Sequence, residues 1–168
     1  RQMKRDYRKP LIVFTPKSLL RHPKAVSSIQ DLATGEFQEV IDDTLKPVGI
    51  KKLVFCMGKF YYDLLAEREA LQREDVALVR IEQIFPLHLD KLQQIIDRYP
   101  NVEEYIWAQE EPANMGAWTY MAMELRELNL TGICRYSSAA AAEGSHDLHK
   151  RRLERLFNEL FAYAKVNA

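Results

Sequence analysis

The sequence predicts a three-layer α/β/α fold built on an open, mostly parallel sheet of about five strands. Three observations carry that expectation. Short runs of β-forming residues, among them Leu53-Val54-Phe55-Cys56 and Tyr105-Ile106-Trp107-Ala108, alternate with longer stretches whose apolar residues recur at helical spacing. The run Val76-Ala77-Leu78-Val79 is apolar throughout, as a central strand covered on both faces must be. Strand followed by helix recurs about four times, and right-handed crossovers then place helices on both faces of one sheet.

In chain order, Arg1, Lys4, Arg5, Arg8 and Lys9 make residues 1–9 a basic lead-in to a single domain over 10–168. Leu11-Ile12-Val13-Phe14 reads as the first strand, stopped at Pro16 and followed by a polar loop from Thr15 to Pro23. Ser27 or Ser28 caps a short helix through Leu32 that Gly35 ends. Residues 36–41 alternate weakly, as an edge strand, and 42–49 form a loop. The strand over 52–56 passes through Met57-Gly58-Lys59 into a helix over 60–72. Its stripe is Tyr61, Leu64, Leu65 and Leu71, with Glu67, Arg68 and Glu69 turned outward.

After the strand at 76–79 comes a helix with Leu89, Leu92, Ile96 and Tyr99 on one face, closed by Pro100. The strand over 104–108 opens into the irregular junction 109–118. A helix follows with Trp118, Met121, Ala122, Leu125 and Leu128 inward. The last strand, 132–136, ends in Ser137-Ser138 and four alanines, and Gly144-Ser145 precedes a helix striped by Leu153, Leu156, Phe157, Leu160 and Phe161.

Lys and Arg total 24 and so do Asp and Glu, so no global field draws nucleic acid, an anionic membrane or an acidic substrate. Any anion site is local. A chain of 168 residues buries roughly 70% of its unfolded surface and sustains its own core. Two cysteines, Cys56 and Cys134, both inside apolar runs, point to a reduced intracellular chain. No apolar stretch approaches the roughly 20 residues of a membrane span. The opening Arg1-Gln2-Met3-Lys4-Arg5 carries neither an initiator Met nor a signal pattern, so a piece of a longer protein is expected.

Parallel strands deliver their carboxyl ends to one sheet edge, where open α/β sheets meet ligands. The polar segments expected there are Lys17-Ser18 with Arg21-His22, Met57-Gly58-Lys59, Glu82-Gln83, Gln109-Glu110-Glu111 with Asn114, and Ser137-Ser138. Lys17, Ser18 and Arg21 have the chemistry of an anion cradle, since ammonium and guanidinium groups bind phosphate or carboxylate. A turn with solvated charges is the plainer alternative. Glu110 and Glu111 cannot share one site without a bend, because consecutive residues of an extended chain point opposite ways. Pairing with Arg21, Lys59 or a partner chain is expected of them. His22 is a candidate for proton transfer, without a partner at fixed spacing. His146-x-x-His149 lacks the further ligands of a zinc site, and Gly58-Lys59 lacks the rest of a phosphate-loop signature. The residues thus predict a ligand-facing or partner-facing domain with no catalytic set and no metal site.

Taken together, Arg1-Gln2, the stretch from Pro10 to Pro23, Ser27, Gly58-Lys59, Tyr61-Tyr62, Arg80-Ile81-Glu82-Gln83, Pro86, and Gln109-Glu110-Glu111-Pro112-Ala113-Asn114 with Gly116-Ala117-Trp118 resemble the C-terminal domain of 2-oxoglutarate dehydrogenase E1. The resemblance runs in order along nearly the whole chain. It implies a transketolase C-terminal-domain-like fold and a place in an enzyme that decarboxylates 2-oxoglutarate oxidatively and passes the succinyl group to a lipoyl arm of E2. It implies that thiamine diphosphate and magnesium belong to the two preceding domains, that this domain holds no cofactor, and that it is inactive alone. The implied partners are the preceding E1 catalytic domains, a second E1 protomer and the E2 succinyltransferase complex, without nucleic acid or membrane. The implied compartment is the cytoplasm, or the mitochondrial matrix for a eukaryotic source.

Members of that family bind effectors such as acetyl-CoA or AMP where this domain meets the catalytic ones, and Arg1 and Lys9 fall among those contacts. Lys17, Ser18 and Arg21 join them on local chemistry alone. Met115 departs from the family's usual Gln, and alanines at 139–142 stand where relatives tend to carry prolines, which leaves that loop less rigid. Two other classes of function stay open on the residues: a stand-alone nucleotide or CoA-ester sensor, and a small enzyme using His22 with Glu110 or Glu111.

Overall fold

The computed structural model describes residues 4–162. They divide into two units, one running to Glu36 and one from Phe37 onward. The division lies beyond residue 10, where the sequence suggested a single domain to begin.

In the first unit, Leu11–Phe14 is not a strand, contrary to expectation. Its four side chains are 66–94% exposed. The run is bracketed by Pro10 and Pro16, neither of which can donate to a ladder, and β-propensity without a partner strand does not make a sheet. The loop after it holds a 3₁₀ turn, Lys17–Leu19, closed by backbone bonds. Helix α1 (Ile29–Thr34) starts at Ser28, whose hydroxyl accepts from the Asp31 amide while the Asp31 carboxylate accepts from the Ser28 amide. This capping box satisfies two amides that the helix itself leaves open, and Gly35 ends it as expected.

The second unit is the sheet. Its strands are β1 (Val40–Ile41), β2 (Lys52–Cys56), β3 (Val76–Ile81), β4 (Glu104–Pro112) and β5 (Thr131–Arg135), in the order β1-β3-β2-β4-β5. The last four are parallel, and β1 lies antiparallel on β3. The sheet is therefore five-stranded and mostly parallel, with residues 40–41 supplying the strand that 11–14 does not. The helices are α2 (Phe60–Ala70), α3 (Leu89–Asp97), α4 (Trp118–Glu124) and α5 (His146–Phe161).

Strand alternation sorts the core into two layers. Leu53 and Phe55 of β2, Val79 and Ile81 of β3 and Trp107 of β4 pack with Leu92 and Ile96 of α3 and Met121 of α4. Val54, Cys56, Val76, Leu78 and Ile106 face the other way, onto Phe60 and Leu64 of α2 and Leu156 and Leu160 of α5. The result is α/β/α. Among the described residues, no helix is long and apolar enough to cross a membrane.

Two expectations change in this unit. β4 continues to Pro112, through a register shift between Ala108 and Pro112, so Gln109, Glu110 and Glu111 are strand residues rather than loop. Arg68, expected on the outer face of its helix, is only 7% exposed. It pairs with the buried Asp43 and donates to the Val76 carbonyl at 3.1 Å. A buried partner turned a charge inward that hydropathy alone turns outward.

Candidate functional site

β2 has β3 on one side and β4 on the other, so the direction of chain progression reverses between β2 and β4. Open α/β sheets form ligand crevices at such switch points, beyond the carboxyl ends of the strands. A crevice of about 110 Å³ lies there, lined by Met57, Gly58, Lys59, Phe60, Gln109, Glu110 and Glu111. Gly58 turns the chain out of β2 with φ at +57°, a left-handed conformation that glycine adopts without steric cost. The turn delivers Lys59 to the crevice, where its ammonium pairs with Asp63 and lies 3.6 Å from Glu110. Burial opposes that charge, but Asp63 and Glu110 outweigh it and raise Lys59 above its ordinary range. Lys59 is thus a fixed cation and not a base.

The opposite wall is held by Gln109, which is 1% exposed. Its Oε1 accepts from Trp107 Nε1 at 2.8 Å and from the amides of Ala117 and Trp118 at 3.2 and 3.0 Å. Its Nε2 donates to the Met115 carbonyl at 2.8 Å and the Pro112 carbonyl at 3.2 Å. One side chain therefore shapes the whole turn from β4 into α4. Asn114, also expected at this edge, exchanges two 3.0 Å bonds with the backbone of Ser138 and ties that turn to the segment after β5.

Glu82 lies just past β3 and pairs with Arg80 at 2.8 Å, and the Arg80 guanidinium lies 4.6 Å over Tyr61 and 5.3 Å over Tyr62. Lys59, Glu110 and Glu111 thus share one crevice, while Glu82 and Asn114 stand at the ends of β3 and β4. Lys9, Lys17, Ser18, Arg21 and His22 belong to the first unit. Lys17, Ser18 and Arg21 are exposed there, the Lys9 ammonium lies 5.2 Å from the Tyr7 ring centre, and His22 Nδ1 accepts from the Lys24 amide at 3.3 Å. Arg1 lies outside the described residues.

Nucleophilic chemistry finds little support. Cys56 and Cys134 are unpaired, and burial pushes both thiols up, Cys134 to about 12. Neither is a thiolate at neutral pH. Among the described residues, no group of three or more His, Cys, Asp or Glu stands where it could hold a metal ion. His149 instead lies 3.7 Å from Glu143.

A second concavity, of about 200 Å³, is not predicted by the sequence pattern. It is lined by Arg135, Tyr136, Leu148, Arg151, Arg152 and Arg155, at the end of β5 and along α5. Its one sequence signal is the spacing of Arg151, Arg152 and Arg155, which places them on neighbouring turns of a helix.

A mostly parallel sheet with helices on both faces and a crevice at its switch point defines the class of open α/β/α domains. In accord with that, the chain is similar to the solved structure "Split gene transketolase, inactive beta4 tetramer", with a TM-score of 0.51 at 14% identity, over 71% of this chain and 38% of that one. Residues 26–161 match the 2-oxoglutarate dehydrogenase C-terminal family, and the chain belongs to that family. It is 43% identical to the 2-oxoglutarate dehydrogenase E1 component of Azotobacter vinelandii, over 96% of this chain and 18% of that protein. It is 45% identical to the 2-oxoadipate dehydrogenase complex component E1 of Xenopus laevis, over 93% and 18%. A multifunctional 2-oxoglutarate metabolism enzyme of Mycobacterium sp. (strain KMS) is 41% identical over 92% of this chain and 13% of its own. The chain thus spans less than a fifth of these curated relatives.

Proposed function

We propose that the chain is the carboxy-terminal accessory domain of a 2-oxoglutarate dehydrogenase E1 component, a thiamine-diphosphate-dependent enzyme that decarboxylates 2-oxoglutarate oxidatively and delivers succinyl groups to lipoyl-E2. The domain completes the E1 dimer, packs on the catalytic domains and presents effector contacts. It is not catalytic alone. The observation that carries this reading is the exposed run Leu11–Phe14. It lies before residue 26, where the family match begins, yet the Azotobacter relative matches 96% of the chain. Four adjacent exposed apolar side chains are a docking segment, worth roughly 25 cal/mol for each Å² that a partner covers.

Thiamine diphosphate does not fit the switch-point crevice. Its volume of about 110 Å³ is small for the cofactor, and Lys59, the cation that lines it, is already paired with Asp63 and Glu110. The thiamine diphosphate site is assigned to the domains that precede this one. The similarity to a 2-oxoadipate enzyme is as high as that to the 2-oxoglutarate enzyme, so the choice of 2-oxoacid rests on residues outside this chain. Effector binding, of acetyl-CoA or AMP, is assigned to Arg1, Lys9, Lys17, Ser18 and Arg21.

The test uses both the chain and the full E1 that carries it. With thiamine diphosphate, magnesium and 2-oxoglutarate, the 168-residue chain is expected to release no carbon dioxide. In the full E1, Ile12→Ser with Phe14→Ser is expected to weaken the dimer in sedimentation and to lower turnover. Turnover by the chain alone, or unaltered sedimentation of the double variant, overturns the proposal. For the effectors, calorimetric heat from acetyl-CoA or AMP that disappears in Lys17→Ala with Arg21→Ala is the expected result, and heat unchanged by that pair removes them from the site.

A further inference from the structure

The groove at the end of β5 carries more positive charge than the fold uses. Arg135, its buried floor, is consumed by structure: it donates to the carbonyls of Glu110 and Ala141 and pairs with Glu143. Glu143 also pairs with Arg152. Arg155 donates to the Cys134 carbonyl at 2.8 Å and lies 3.5 Å from Glu159. Arg151, one helical turn before Arg155, is exposed on the rim. Four guanidinium groups thus line one groove against the carboxylates Glu143 and Glu159, with Asp147 one turn before Arg151 on the same helix, in a chain whose formal charge is zero. Gathering like charges costs energy, and nothing in the packing requires Arg151 there. The local cationic excess favours an anion.

The groove has an aromatic side as well. The Arg155 guanidinium lies 4.1 Å from the centre of the Tyr136 ring, and Tyr136 is 76% exposed. Leu148 lines the same concavity. An aromatic ring open to solvent beside forked cationic donors suits a molecule with an anionic head and a flat body.

We propose that this groove binds a small-molecule phosphate monoester, its phosphoryl group on Arg151, Arg152 and Arg155 and its planar ester group against Tyr136. A phosphoryl dianion offers three acceptor oxygens, and bidentate guanidinium contacts suit that geometry. A volume of about 200 Å³ takes the phosphoryl group with a single ring. The site stands on residues of the sheet unit alone, none of them assigned to effector binding above, and it does not depend on that assignment.

The test titrates the 168-residue chain with phenyl phosphate and with inorganic phosphate, by calorimetry and by phosphorus NMR. Both are expected to bind, phenyl phosphate more tightly. Arg151→Gln is expected to weaken both by about tenfold, with Arg151→Lys recovering part of the loss. Tyr136→Ala is expected to bring phenyl phosphate down to the affinity of inorganic phosphate. Lys17→Ala with Arg21→Ala leaves all of this unchanged, which separates the groove from the first unit. Unchanged circular dichroism shows that each variant is folded. Equal affinity of the two probes, affinity unaltered by Arg151→Gln, or no binding at about 10 mM of either overturns the proposal.

Discussion

Asp43 and Arg68 form an ion pair inside the sheet unit, with side chains only 3% and 8% exposed. The Asp43 carboxylate also accepts from the Leu78 amide at 2.6 Å and the Leu45 amide at 3.0 Å, and Arg68 donates to the Val76 carbonyl. The pair thus fastens the loop after β1 and helix α2 to β3, on the edge of β3 that also pairs with β1. Every charge it buries has a partner, so removing one partner leaves an uncompensated ion in a medium that cannot solvate it.

Asp43→Ala and Arg68→Met are each expected to destabilise the protein by about 3–5 kcal/mol in urea unfolding. Asp43→Leu with Arg68→Met, which removes both charges, is expected to cost less than the sum of the two. Single losses under about 1 kcal/mol would contradict a buried pair.

Gln109 and Gly116 specify each other. Gly116 has φ at +67°, and a Cβ there would lie 2.9 Å from the Gln109 amide. Gly116→Ala therefore meets both left-handed strain and a clash, and Gln109→Leu strands the amides of Ala117 and Trp118. Each substitution is expected to cost about 2–4 kcal/mol, read as a lower urea midpoint with unchanged slope.

Lys52 closes the end of α5. Its ammonium donates to the carbonyls of Leu160 and Ala162 at 3.1 and 3.0 Å, and Arg73 donates to that of Phe161. The last carbonyls of a helix have no intrahelical donors, and the negative end of its dipole favours cations. Lys52→Met is expected to cost about 1.5–3 kcal/mol and to speed amide exchange in the last turn of α5 before the rest of the sheet opens. Exchange that rises equally along all strands would refute the local role.

Glu39, just before β1, pairs with Lys91 of α3 at 2.7 Å and lies 3.8 Å from His88. The hydrogen bond from Lys91 is the main cause that lowers its carboxyl from 4.5 to about 2. The folded state therefore binds this proton less readily than the unfolded state. The contribution of Glu39 is complete above about pH 4.5 and is lost as pH falls toward about 2. Glu39→Gln is expected to flatten the stability profile in that interval and leave its slope near neutrality alone. A parallel profile across the whole range would remove Glu39 from acid unfolding.

The strands after residue 50 and all five helices are legible in the sequence, because each is written in local terms. A serine at 27 or 28 and Gly35 frame α1, the apolar run at 76–79 demands cover on both faces, and the stripe ending in Leu160 and Phe161 fits α5. The switch-point crevice was half legible: Lys59 and Glu110 could be sent to one edge, but not the clamp that Gln109 supplies. Its six partners lie between two and nine residues away, and no periodic pattern encodes them.

What the sequence determined by itself is the fold class and the family, since periodicity, caps and long ordered motifs act within reach of neighbouring residues. Only the tertiary structure decided which β-former becomes a strand and which charge goes inside. Leu11–Phe14 has the propensity but no ladder partner, whereas Val40–Ile41 has both through β3. Arg68 carries the hydropathy of a surface residue, yet Asp43, 25 residues away, supplies the counter-charge that makes its burial affordable. Partnership across the chain is a property of the assembled fold, and both outcomes depended on it.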